Sequence, residues 1–150
     1  MLRSTGAPII AAVDDSAASA AAVDEAVSLA AELDVPLVFA YVRRGPAEVF
    51  GGPVYKRRLA KEMERARRVL DRALRIANVA EIGAEAEILE GSPRRRIVEF
   101  ARDRGAQLVV VGSQRPRLRR SVARAIARAA DRPVVVAARP RSGEALAGAA

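Results

Sequence analysis

Residues Glu90–Ser113 read EGSPRRRIVEFARDRGAQLVVVGS. The stretch holds the end of one strand, an amphipathic helix and a buried strand, with explicit punctuation. Ser92 suits a helix N-cap, Pro93 suits a first turn whose N–H would go unpaired anyway, and Gly105 suits the left-handed residue that stops a helix. QLVVV (107–111) is apolar throughout, as expected of a strand covered on both faces.

The same alternation extends in both directions. PIIAAVD (8–14) is a short apolar strand ending in Asp14, followed by a helical pattern over Ser16–Leu33. There Val23, Ala26, Val27, Ala30 and Leu33 recur at spacings of three and four, and Ser16 is the expected N-cap. VPLVFAYV (35–42) is a second strand, and RRGPAEVFGGPVY (43–55) a loop punctuated by glycine and proline. A long helix is expected over Lys56–Asn78, with Leu59, Met63, Ala66, Leu70, Ala73, Leu74 and Ala77 on one stripe. AEAEILEG (84–91) gives the third strand and QLVVV the fourth. After SVARAIARAA (121–130), a further helix, RPVVVAA (132–138) supplies the fifth strand. Five short strands alternating with four helices predict an α/β, doubly wound parallel sheet with helices on both faces. Residues 1–138 form one domain in this reading, and 139–150 a flexible tail of small and polar residues.

Composition narrows the chemistry. The chain has 150 residues, 51% hydrophobic and 29% charged, which fits one globular domain and no membrane span. It has no histidine and no cysteine, so there is no imidazole base, no thiolate nucleophile and no usual zinc site. The lysines, Lys56 and Lys61, do not follow a glycine-rich turn, so a Walker-type loop is missing too. No basic region followed by an apolar one opens the chain, and the cytoplasm is the expected location. A net charge of +8 would attract polyanions, but aromatic residues make up only 3%, so the stacking platforms of single-strand readers are scarce and the expectation is against nucleic acid.

These segments together resemble the universal stress protein family over about Pro8–Ala138. IIAAVDDSAASAAAVDEAVSLA (9–30) is similar to its opening strand and helix, Glu90–Ser113 to its middle, and SVARAIARAADRPVVV (121–136) to its closing helix and strand. The resemblance implies the strand order 3-2-1-4-5, a homodimer paired along the fifth strand (Val134, Val135, Val136) and, in one branch, binding of ATP or another adenine nucleotide with magnesium and no catalytic machinery. With that order, ligands are expected where the winding reverses, just past strands 1 and 4, at Asp14–Ser16 and at Gly112 and Ser113. In the nucleotide-binding branch the adenosine meets residues that map to Asp14 and Val42. The phosphates lie against a loop of the form G-x2-G-x9-G-[ST], whose ends map to Gly112 and Ser121.

Here the sequence departs from the pattern. Arg115 stands at the second glycine position and Arg120 at the third, and the segment from Gly112 to Ser121 is five residues short. Glycines in such a cradle let backbone N–H groups approach phosphate without a Cβ in the way, and Pro116 removes a donor outright. Asp15 adds negative charge where the family often has glycine. The expectation is a loop rewritten from backbone donors to guanidinium groups, with ATP bound weakly or not at all.

Individual residues keep two readings each. Asp14 either hydrogen-bonds a nucleoside or caps the first helix with Ser16; Ser121, followed by Val122, either touches phosphate or caps the next helix. From Arg104 through Ala130 there are arginines and no acidic residue, and Arg119 and Arg120 oppose the positive end of the last helix. They either splay into water or, with Arg115, hold an anion. The functional expectation is a non-catalytic stress-response or regulatory module. A nucleotide sensor built on arginines is the alternative, and a polyanion-binding module ranks below it.

Overall fold

The structure is a computed structural model that describes residues 6–45, 52–113 and 132–138. β1 (Ile9–Val13) is the centre of a five-stranded sheet, flanked by β2 (Leu37–Arg43) and β3 (Ala84–Glu90) on one side and by β4 (Leu108–Ser113) and β5 (Val134–Ala138) on the other. All four pairings are parallel and the order is β3-β2-β1-β4-β5, as the resemblance implied.

Alternation along each strand divides the core in two. Ile9, Ala11, Val13, Leu37 and Phe39 pack beneath α1 (Ala17–Leu33) and α2 (Pro53–Val79), while Ile10, Val38, Ala40, Val109 and Val111 pack on α3 (Pro93–Asp103). Phe39, Ile9, Ile10 and Leu37 are essentially sealed from water, each contributing about 1.5–3 kcal/mol of burial. Coverage on both faces explains why β1, β2 and β4 read as apolar runs, whereas edge strand β3 alternates.

Helix α1 follows its expected stripe at Val23, Ala26, Val27 and Ala30, but Leu33 is 49% exposed. It stands on the last turn, ten residues and about 80° of rotation from Val23. The helix then ends on Asp34, in the left-handed region at φ 53°, with its N–H donating to the Ala30 carbonyl.

Helix α2 begins three residues before the expected Lys56. Pro53 serves as its first residue, where a missing N–H costs nothing, so residues 53–55 belong to the helix and not to the loop. Ala66, Leu70, Ala73 and Ala77 are buried, and Leu59, Met63 and Leu74 half-buried. The opposite side carries Lys61, Arg65, Arg68, Arg72 and Arg75, all exposed, at alternating spacings of four and three. Like charges at those spacings cost about 0.2–0.5 kcal/mol per pair.

Helix α3 starts at Pro93 as expected, but Ser92 makes no side-chain cap. Gly105, at φ 61°, supplies the left-handed residue just beyond the helix. Strand β4 runs on through Gly112 and Ser113, which pair with Ala137 and Ala138 instead of forming a turn past the strand. Edge strand β3 presents Glu85, Glu87 and Glu90 to water, whereas edge strand β5 presents Val136. None of the described helices is long and apolar enough to cross a membrane. The expected helix over 121–130 and the tail 139–150 lie outside the described residues.

Candidate functional site

Strands β2 and β3 lie on one side of β1 and strands β4 and β5 on the other, so the winding reverses between β1 and β4. The crevice beyond the carboxyl ends of those two strands is the natural ligand position in such a sheet. Val13 pairs with Tyr41, so the next step along each chain brings Asp14 alongside Val42. Four of the expected site residues, Asp14, Val42, Gly112 and Ser113, therefore gather at one end of the sheet. Arg115, Arg119, Arg120, Ser121 and Val122 lie outside the described residues.

Asp14 is held by a local network. Its Oδ1 accepts the Ser16 N–H at 2.8 Å, its own N–H donates to Ser19 Oγ at 2.9 Å, and the Ser19 N–H donates to Ser16 Oγ at 3.3 Å. This side-chain turn joins β1 to α1 and caps the Ser19 N–H of the first helical turn, with Ser19 buried beneath it. The capping reading of Asp14 and Ser16 is thus realised, and the same turn sets the carboxylate at the mouth of the crevice.

Gly112 serves packing. A Cβ at this position would lie 2.4 Å from the Ala18 carbonyl oxygen and 3.2 Å from the Ala18 Cβ, so only glycine lets the first turn of α1 rest on the end of β4. Val42 is half-buried against the α3-side cluster.

Sequence reasoning missed three residues here. Tyr41 is half-buried at the end of β2, and burial, then the negative charges of Asp15, Asp14 and Glu62, push its hydroxyl pKa up against the opposing pull of Arg65. Arg65 reaches down from α2 to within 3.7 Å of Asp15, an exposed pair. Arg43 is 7% exposed and pairs with Glu90 at 2.9 Å and Glu62 at 3.3 Å. Burial pulls its pKa down, but the hydrogen bonds and charges of the two carboxylates outweigh that and hold the guanidinium above its ordinary value. The ion triad ties β2, β3 and α2 together beside the mouth. Its signal was the strand alternation, which puts residue 43 on the same inward face as Leu37, Phe39 and Tyr41.

The chemistry on offer is hydrogen bonding at an acidic mouth. Among the described residues no group of three carboxylate, imidazole or thiol side chains could hold a metal ion, so they offer magnesium no protein cage. Residues 7–138 match the family model described as Universal stress protein family. The chain belongs to that family. Its fold is matched by a universal stress family protein from Burkholderia pseudomallei at 29% identity, with a TM-score of 0.73 over 87% of this chain and 94% of that one. A universal stress protein from Archaeoglobus fulgidus in complex with dAMP is similar at 24% identity and a TM-score of 0.70, over 87% and 97% of the two chains. An Arabidopsis thaliana family protein with AMP bound matches at 18% identity and a TM-score of 0.66, over 93% and 95%. No curated protein sequence matches significantly.

Proposed function

We propose that this universal stress protein domain is a non-catalytic stress-response or regulatory module whose crevice binds ATP weakly or not at all. The observation that carries the reading is Gly112. In the family pattern this glycine opens the phosphate loop, but here its bare α-carbon is taken up by contact with Ala18, and arginines follow at the other two glycine positions. A chain without histidine or cysteine also lacks the usual bases and nucleophiles of hydrolysis. Isothermal titration of nucleotide-free protein with ATP and magnesium tests the proposal: little or no heat is expected, and a low-micromolar dissociation constant overturns it.

A second reading keeps a nucleotide. Asp14 and the end of β2 stand side by side, and the relatives from Archaeoglobus fulgidus and Arabidopsis thaliana hold dAMP and AMP, nucleotides with a single phosphate. In this reading the nucleoside rests at Asp14 and Val42, and Arg115, Arg117, Arg119 or Arg120 meets the phosphate in place of the glycine loop. Absorbance near 260 nm in the acid-released supernatant of purified protein distinguishes it from the first. Arg119→Ala with Arg120→Ala then weakens AMP binding sharply, and unchanged binding discards the arginine role.

The assembly we propose is a homodimer through β5, because the exposed Val136 edge would otherwise invite indiscriminate pairing. Light scattering of dilute protein that shows only a 16.0 kDa species rejects it.

A further inference from the structure

We propose that the outward ridge of α2 binds double-stranded DNA through its phosphates, without reading base sequence. Lys61, Arg65, Arg68, Arg72 and Arg75 follow one another along the side of the helix away from the buried stripe of Ala66, Leu70, Ala73 and Ala77, with the Arg65 side chain turned toward Asp15. Arg57 and Arg58 extend that line by one turn, giving a ridge about 27 Å long.

The pairing of these cations points to a partner. Arg65 reaches Asp15 and Arg68 lies 3.6 Å from Glu64, but among the described residues no carboxylate is within ion-pair distance of Lys61, Arg72 or Arg75. Cations crowded at three- and four-residue spacing repel one another, a burden on the helix that an aligned row of anions would relieve. Nearly all are arginines, whose planar fork grips phosphate oxygens two at a time.

The same surface selects among polyanions. Between Arg57 and Arg75 the outward line carries only charged side chains, and the exposed valines, Val54 and Val79, sit at the two helix ends. A membrane surface would need apolar residues interleaved with the cations, to enter the headgroup layer. A single strand would need stacking platforms, and there are none on this line. The scarcity of aromatic residues therefore argues against single strands and leaves a duplex open. A duplex offers a stiff phosphate row of about one charge per 1.7 Å of axis, which suits a straight, rigid ridge. On the same sheet face α1 carries no cation and is acidic, with Asp24, Glu25 and Glu32 exposed, so of these two helices only α2 attracts a polyanion.

The test is fluorescence anisotropy of the full chain with a labelled 20-base-pair duplex of arbitrary sequence, over a salt series. With about five phosphate contacts, the affinity should fall roughly 500-fold between about 50 mM and about 200 mM salt. The Lys61→Gln/Arg72→Gln/Arg75→Gln protein should bind at least about tenfold more weakly and lose about three from the logarithmic salt slope. Arg44→Gln/Arg94→Gln/Arg102→Gln removes the same charge elsewhere and should leave binding within about twofold and the slope unchanged. The charge-keeping Arg72→Lys/Arg75→Lys protein should retain the slope, which guards against a folding defect in the first variant; circular dichroism of each protein checks this directly. No duplex binding at the lowest salt overturns the proposal. So does equal weakening in both glutamine triples, tighter binding of a single strand of equal length, or capture by phosphatidylserine vesicles without duplex binding.

Discussion

Gly112 and Ala18 are in backbone contact: a Cβ on the glycine would stand 2.4 Å from the alanine carbonyl oxygen. This contact sets how closely α1 can approach the end of β4, and α1 is the helix that carries the capping turn at Asp14. Gly112→Ala should therefore destabilise the domain by about 1–3 kcal/mol through overpacking against main chain that has little room to move. Urea denaturation checks this, and an unchanged midpoint would remove the packing role.

Arg43 should show an asymmetry between removing the charge and removing its partners. Arg43→Met leaves Glu62 and Glu90, 40% and 65% exposed, free to turn to water, and should change stability by no more than about 1 kcal/mol. Glu62→Gln with Glu90→Gln strands a buried guanidinium. That should cost about 2–3 kcal/mol, less than a fully buried broken pair because both partners face solvent. Chemical denaturation of the two proteins gives the comparison, and equal losses would contradict it.

The turn at Asp14 separates structure from binding. Ser16→Ala removes the N-cap oxygen and should cost about 1 kcal/mol. Asp14→Asn keeps an Oδ1 acceptor for the Ser16 N–H, so its melting temperature should stay close to that of the parent. Any loss of nucleotide affinity in Asp14→Asn then reports on the ligand alone; a large drop in melting temperature would show that the turn depends on the negative charge.

Tyr41 gives a pH dependence with a definite sign. Its folded pKa is raised from 10.0, first by burial and then by neighbouring carboxylates, so the native state holds the proton more tightly than the unfolded chain does. The stability from neutral Tyr41 is fully present below the unfolded value and is lost as pH rises through the folded one. In a Tyr55→Phe background, absorbance near 295 nm should follow Tyr41 ionising above the ordinary tyrosine range, and Asp15→Asn should bring it down. A normal titration would rule out the buried, acidic setting.

Much of this fold was legible because strands covered on both faces leave continuous apolar runs, as in QLVVV, and because Pro93 and Gly105 act locally where they stand. Less was legible where local chemistry permits more than one outcome. Pro53 looked like loop punctuation beside Gly51 and Gly52, yet it opens a helix, because proline suits a first turn as well as a break. Ser92 occupies the cap position without using its hydroxyl. At the site, the strand register sets Asp14 beside Val42 at one end of the sheet. The use of Gly112 was hidden, since which backbone approaches a bare α-carbon is decided by tertiary packing and leaves no mark in the neighbouring residues. Arg43 did leave a mark, a charge on the inward parity of an apolar strand.

The two rims of the sheet differ in character, glutamates along β3 and valine along β5. Charged side chains on an edge strand discourage an added strand, so the β5 rim is the more receptive of the two. Two copies joined valine to valine would use up the receptive rims and turn carboxylates outward on both flanks, where a third copy meets like charge. Growth would then stop at a closed pair, so an exposed apolar border need not lead to fibres.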